Sequence, residues 1–528
     1  MLNWHSKRGT PFPREAFSPA MLFRSGTDGL WPDPSDMSTM FQDSAGTVPV
    51  AAPGQTVGLM LDKSRGLVKG ANVAAAGPTT VFAPWVSLGG GRYSIDGSQT
   101  SYQSLYYEGI LEVGATYEVT FTVESTTGAI RIASQLNSID LTGTGEKKAH
   151  LVAAAGNFNI QAPPGVVATI EVGEVRKVPG NHLTQPTASK RPIYGVVPKG
   201  GRRNLLAYSK ELTLARWPSA GTSASFDPSD ITAPDGSKTA VRAISGGGGS
   251  DYLYRDAVAS DGQIKSIYAR TVSGTGTVGL LDFNGTPRSE TSLTEEWQRF
   301  ELPVNTADTG GANFYLVDFR VGTLGEVLIW GPQLEEGSEA TPYQRVGNQY
   351  DVTERGVETL HYLYFDGVDD ELAASRPLPF STELFSAIGF RLDSYNNTFP
   401  NMLSNRGAST GAGRRHPLIY ARQSNPTSLV LDIEDTPLIL TLSSELPGRD
   451  IVMGGGFGSG QIFAEADGVS QSAPGAVPTE LDTDPFKISG GNRFEGRFYG
   501  AAQVNKVPPA SKQAALRRWL NRKSGVTL

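Results

Sequence analysis

The chain has five histidines, His5, His150, His182, His361 and His416. None stands at the spacing from another that would set two imidazoles on one face of a helix or strand. There is no cysteine, which excludes thiolate metal sites, cysteine nucleophiles and structural disulfides. These residues predict no metal site and no cofactor. Gly407-Ala-Ser-Thr-Gly411 fits the nucleophile pattern GxSxG, but Gly-Arg-Arg-His416-Pro follows where the elbow needs a helix, so the segment reads as a loop. A triad on Ser409 would have to recruit His416 or a distant segment. Gly274-Thr-Gly276-Thr-Val-Gly279 fits GxGxxG between two strand patterns, and without a following helix there is no helix N-terminus to hold a pyrophosphate. The glycine run at 454–460 fails the same test and reads as a tight edge or loop. Adjacent acids recur at Asp369-Asp370, Glu295-Glu296 and Glu335-Glu336. A glycosidase needs two carboxylates about 5 to 10 Å apart, whereas neighbouring acids at turns face solvent or ligate a structural calcium.

Aromatic side chains are the more informative class. Sugar rings stack their apolar faces on Trp and Tyr and present hydroxyls to Asn, Asp and Arg. Candidates for such contacts are Trp85, the cluster Tyr102, Tyr106 and Tyr107, the pair Tyr252 and Tyr254, and Tyr395 beside Asn396 and Asn397. Trp297 and Trp330 lie within strand patterns and are expected in cores.

The elements that must position these groups are β-strands. A length of 528 residues is several times that of one domain. With 62 glycines, 34 prolines and only 19% charged residues, the composition favours turn-rich β structure over helical bundles. The net charge of -7, without a long basic run, argues against nucleic acid as a partner. The start of the chain lacks the apolar stretch of a signal peptide, and no later run approaches the roughly 20 apolar residues that span a bilayer. A soluble protein that reaches the outside by assembly or lysis is therefore expected.

Residues 1–66 are dense in turn formers and read as an irregular, docked segment. From 67 to 178 strands dominate. Tyr117, Val119, Phe121 and Val123 alternate with polar residues, and Val166, Ala168, Ile170 and Val172 repeat the spacing, as one β-sandwich requires. A Pro- and Gly-rich connector follows at 179–200. A second sandwich, at 201–347, matches the first in order and reads as a diverged internal repeat. The last unit, 348–528, is a third sandwich with an Asp467-Gly468 hairpin. It closes on a helix with Ser511 as N-cap, Leu516, Trp519 and Leu520 as the buried stripe, Gly525 as its stop, and Arg517 and Arg518 in solvent. The fold class is thus all-β, three tandem sandwiches after a short irregular N-terminal segment.

Longer motifs carry a resemblance. Trp31-Pro-Asp-Pro-Ser-Asp-Met-Ser-Thr-Met-Phe41 with Val57-Gly-Leu-Met-Leu-Asp-Lys-Ser64 resembles a segment near the start of tailed-phage and gene-transfer-agent virion proteins. In those it runs almost directly into a sequence like Asn181-His-Leu-Thr-Gln-Pro-Thr-Ala-Ser-Lys-Arg-Pro192, so here the first sandwich looks like an insertion. Asn204-Leu-Leu, Ala233-Pro-Asp-Gly236, Glu296-Trp-Gln-Arg-Phe300 and Trp330-Gly-Pro-Gln-Leu-Glu-Glu-Gly-Ser-Glu-Ala-Thr-Pro-Tyr-Gln344 resemble the jelly-roll domain of phage head-spike and tail-fibre proteins, itself similar to carbohydrate-binding modules. Tyr364-Phe-Asp-Gly-Val-Asp-Asp370 and Phe494-Glu-Gly-Arg-Phe-Tyr-Gly500 are similar to a concanavalin-like (laminin-G) sandwich. The resemblance implies a non-enzymatic virion adhesin, assembled in a host cytoplasm and displayed on a phage or gene-transfer-agent particle. It would bind a cell-surface or capsular polysaccharide as a homo-oligomer, a trimer or a pentamer, with Trp31 and Phe41 in the part that attaches to capsid or tail proteins. The alternatives are a capsule depolymerase and a decoration protein that binds no glycan.

Overall fold

Period-two alternation makes strands throughout the computed structural model, which describes residues 17–24, 27–220, 224–248, 250–256, 258–282, 289–307, 312–378, 382–404, 418–433, 436–475 and 485–526. The fold is all-β, with one α-helix among the described residues. No helix there is long and apolar enough to cross a membrane. Two compact units divide the chain: Met1–Tyr194 with His361–Leu528, and Gly195–Leu360.

In the first unit, ten strands from Thr80–Val81 to Val167–Val178 form two five-stranded sheets. Tyr117, Val119, Phe121 and Val123 all point into the core between them. Ala168 and Ile170 do the same, and a register shift between Val172 and Val175 lets Val175 take the next inward place.

The remainder of this unit is a second, larger sandwich. One face runs through Thr359–Asp366, Glu495–Val504, Leu384–Ser394, Arg449–Gly458, Gln461–Ala466 and Val469–Pro474. Arg449–Gly458 is an inner strand of that sheet, so the glycine run expected at an edge lies instead between two partners. The reason is space: a Cβ on Gly456 would stand 2.1 Å from the Leu384 carbonyl oxygen. Asp467 and Gly468 both adopt positive φ, 51° and 77°, and close the hairpin as their types require.

The helix Ala510–Ser524 lays Leu516, Trp519 and Leu520 on this sheet and stops at Gly525, whose φ is 75°. Its N-cap is Pro509, at ψ 146°, rather than Ser511, which lies within the first turn. Arg517 is not in solvent but pairs with Glu465 at 2.7 Å, while Arg518 is exposed.

The N-terminal segment is less irregular than its composition suggests. Gly29–Leu30 pairs with Glu495–Val504 on one sheet. Met40–Phe41 and Leu59–Met60 pair with each other, and Leu59–Met60 also pairs with Leu183–Thr184. The two chain segments that flank the first sandwich therefore lie side by side. Asp62, 1% exposed, ties them together. Its carboxylate accepts from the Trp31, Ser64 and Asn181 amides at 2.8 Å and from the Ser64 hydroxyl at 2.7 Å, while its own N–H donates to His182 Nδ1.

The second unit holds another ten-stranded sandwich, from Ser219–Ala220 to Glu326–Glu336. When the strands of each sandwich are counted in chain order, both place the first, fourth, ninth, sixth and seventh in one sheet. Both place the second, third, tenth, fifth and eighth in the other. The internal repeat is thus a shared topology. The two early tryptophans are not equivalent within it, since Trp85 follows its first strand and Trp217 precedes its own.

Candidate functional site

Strand parity decides which expected sugar-contact residues can reach a ligand. Trp85 and Tyr107 cannot, because both are core residues of the first sandwich. Trp85 is 3% exposed with its indole N–H donated to the Gln103 carbonyl, and Tyr107 packs on Phe158 at 5.5 Å. Tyr102 is exposed beneath the Arg131 guanidinium, 4.4 Å from the ring centroid. Tyr106 stands edge-on to Phe82. The expected cluster of Tyr102, Tyr106 and Tyr107 is thus split between surface and interior.

Tyr252 and Tyr254 are brought together. They flank core residue Leu253 on one strand and so point away from the interior. Tyr315 joins them at 5.6 and 5.9 Å, and Arg320, held by Asp318 at 2.7 Å, lies 4.0 Å over the Tyr252 ring. Tyr395 donates to the Pro426 carbonyl, and burial pushes its pKa up to about 12. The Asn397 amide donates to the Arg493 carbonyl at 2.7 Å, a bond that fixes its loop.

Trp31 and Phe41, expected to meet a particle, are spent inside the molecule. Trp31 packs edge-on against Trp519 at 6.0 Å and Phe41 against His150 at 4.9 Å. Both rings are buried, so they dock the N-terminal segment onto the rest of its own unit.

One cleft of the second unit lies against Trp330, one of the two tryptophans expected in cores. Trp330 and Trp297 form a separate cluster with Ala233, Ala240, Tyr268 and Tyr343, apart from the interior that holds Trp217 and Phe314. Alternation is the cause: Val327 and Ile329 face the main interior, so Trp330 faces the other way, opposite Tyr268, where it is 8% exposed. A register shift follows at Gly331, with φ 62°, and returns Leu334 to the main interior. The Trp330 and Tyr268 ring centroids are 5.4 Å apart.

Tyr343 then crosses directly over Gly331, where a Cβ would meet the ring at 3.3 Å, and stands 4.6 Å from Trp330. Its loop is knotted by buried polar groups. Glu335 accepts from the Thr341 amide at 2.7 Å and hydroxyl at 2.6 Å, Gln333 accepts from the Gln344 amide at 2.7 Å, and Asn204 donates to the Pro332 and Gln344 carbonyls. The conspicuous motif at 330–344 is therefore a device for holding Tyr343 against Trp330.

The resulting cavity, about 440 Å³, is lined by these rings and by Asp235, Thr353, Glu354, Arg345 and Arg355. Glu354 is committed to Arg203 at 2.8 Å and Arg345 to Asp351 at 2.8 Å. Arg355 is exposed, and its one hydrogen bond is to the Asp235 carbonyl at 3.3 Å. Burial raises the pKa of the Tyr343 phenol, which shares a hydrogen bond with Ser209. Rings with a rim of mixed charge can bind a molecule that is apolar on its faces and polar at its edges. Sequence reasoning missed Tyr268, Tyr343, Arg345 and Arg355 as a group. The available signal was the Thr-Pro-Tyr that ends the motif begun by Trp330.

Elsewhere, Asp366, Asp369 and Asp370 bring carboxylate oxygens within 4.8 Å of one another and could hold a cation. Burial, then the Asp366 charge, pushes Asp370 up to about 7. Lys190 lies 3.9 Å from Asp369.

The chain matches no protein-family model and no curated protein by sequence. Three solved structures are similar to parts of it. The CBM40 of the Ruminococcus gnavus IT-sialidase is 14% identical, covering 26% of this chain and 82% of its own, with a TM-score of 0.22. Domain 4 of AbnA, a GH43 extracellular arabinanase from Geobacillus stearothermophilus solved with arabinotriose, is 11% identical over 34% and 82%, with a TM-score of 0.24. The CBM22-1-CBM22-2 tandem of Paenibacillus barcinonensis Xyn10C is 12% identical over 59% and 94%, with a TM-score of 0.19. Likeness at this level says nothing of this chain's ligand.

Proposed function

We propose that this chain is a non-enzymatic adhesin of a tailed-phage or gene-transfer-agent particle, a head spike or fibre, that binds cell-surface or capsular polysaccharide. The observation that carries the binding part is the cleft of Trp330, Tyr343 and Tyr268 with Asp235, Arg345 and Arg355 on its rim. The half-buried Tyr268 and Tyr343 rings offer apolar surface over the buried Trp330, and the rim offers both hydrogen-bond acceptors and donors, the combination a saccharide needs. The particle part rests on the resemblance of residues 31–64, 181–192 and 330–344. Single contacts of this kind are weak, and many copies on one particle would raise avidity without new contacts. Display on a symmetric particle also favours a symmetric oligomer.

The test is binding of the full chain to immobilised capsular polysaccharides and a glycan panel by interferometry. Tyr343→Ala is expected to weaken binding about tenfold, the loss of roughly one stacking contact, with the melting profile checked in parallel. Absence of binding across the panel would sink the adhesin reading. New reducing ends after incubation with polysaccharide would replace it with a depolymerase, and absence of the chain from purified particles would remove the virion assignment.

A further inference from the structure

The aromatic cleft does not end at Trp330. A smaller cavity of about 140 Å³ shares Asp235, Trp330, Tyr343 and Arg345 with it and continues toward Ser209 and Leu212. A third, about 540 Å³, shares Lys210, Leu212 and Thr239 with the second and runs on past Phe226 to Lys238. The three adjoin one another through these shared walls, with the Trp330 indole N–H donated across the middle to Thr239 at 2.9 Å. The site is therefore a row of three adjoining cavities, the first two lined by aromatic rings.

Charge is distributed along it unevenly. Arg355 in the first cavity and Lys238 in the last are both exposed, and among the described residues neither has a carboxylate within ion-pair distance; their hydrogen bonds go to the carbonyls of Asp235 and Asp230. Between them, Asp351 serves two cations, Arg345 at 2.8 Å and Lys210 at 4.0 Å. Glu211 and Glu354 are taken by Arg216 and Arg203. Asp235, bonded to Ser237, is the opposing lining carboxylate. A chain with a net charge of -7 thus presents these two cations at separate points of one row of cavities.

We propose that this row of cavities takes an extended, acidic polysaccharide through internal residues of its chain, with sugar rings against Tyr343 and Tyr268 in the first cavity and anionic substituents at Arg355 and Lys238. The inference rests on the carbohydrate reading above and narrows it. Adjoining cavities select for a ligand of several sugar units, and cations in the first and last of them select for charge on a polymer long enough to reach both.

The experiment measures binding of the full chain to size-graded oligogalacturonates and alginate oligosaccharides, to the same polymers after carboxyl reduction, and to neutral dextran. The variants are Arg355→Gln with Lys238→Gln, both at exposed positions, and separately Tyr343→Ala. The expected result is affinity that rises from monosaccharide to oligosaccharide and falls with salt. It should also drop about tenfold in the Arg355→Gln, Lys238→Gln variant for the acidic ligands alone, with Tyr343→Ala weakening all ligands. Equal affinity for a monosaccharide and an oligosaccharide overturns the extended site. Equal binding of native and carboxyl-reduced polymer, or indifference to the double substitution, overturns the acidic specificity and leaves carbohydrate binding standing. Binding to none of the saccharides removes both readings.

Discussion

Protonation of His150 should loosen the first sandwich from the N-terminal segment. His150 is 4% exposed; its ring packs on Phe41, and its N–H donates to the Ala45 carbonyl at 2.6 Å. The charged groups facing it are Glu118, 3.7 Å from Nε2, and Lys148 and Lys69, both bound to that glutamate. Burial depresses its pKa to about 4 from 6.5, outweighing the attraction of Glu118, and the nearby His182 and Lys148 push in the same direction as burial. A base whose folded pKa is lowered is stabilised as the neutral form. Its contribution is complete above pH 6.5 and is lost as pH falls from 6.5 through 4, where the unfolded chain binds the proton and the folded one does not. The difference of these values is worth about 3 kcal/mol at 1.36 kcal/mol per unit. The assay is hydrogen exchange at Gly145–Val152 between pH 7.5 and 4, compared with His150→Phe, which keeps an aromatic ring against Phe41. The wild type should lose about 3 kcal/mol of opening free energy relative to the variant across that window. Parallel curves for the two proteins would refute the reasoning.

Two further substitutions test the same junction. Asp62→Ala leaves three buried amides, those of Trp31, Ser64 and Asn181, without an acceptor, while the Ser64 hydroxyl keeps the Gly29 carbonyl, and should cost at least about 3 kcal/mol, read by chemical denaturation; a loss below about 1 kcal/mol would show that the carboxylate is not the tie described. Gly46→Ala should cost about 2 to 3 kcal/mol, because φ is 65° and its Cβ would stand 2.2 Å from His150 Nδ1. Gly66→Ala, at a similar φ of 70° with open space around it, should cost about 1 kcal/mol; equal losses for the two would mean that contact with His150 contributes nothing.

The layered all-β fold was written in local patterns, since burial of one strand face demands a two-residue period that any chain must show in its sequence. The segments at 116–126 and 166–172, the Asp467-Gly468 turn and the Leu516, Trp519, Leu520 stripe are legible for that reason. The same reasoning placed Trp330 in a core, and it is buried, 8% exposed, but in a small cluster of its own on the face of the sheet away from Trp217. The shift at Gly331 then resets parity in mid-strand, so that Leu334 faces the main interior.

Composition alone excluded thiol chemistry, and the recurrence of turn and strand patterns exposed the repeat. Contacts between residues far apart in the chain had to wait for the fold. Asp62 meets Asn181 across the whole first sandwich, and Trp31 meets Trp519 from the other end of the molecule. Arg355 reaches the Asp235 carbonyl. No spacing rule links such pairs, because their distance in sequence is set by intervening domains and loops and their distance in space by sheet order. The sequence by itself determined the strands, the helix and the kind of side chain available for a ligand. Only tertiary structure decided which aromatics are spent in cores and which remain to line a cleft.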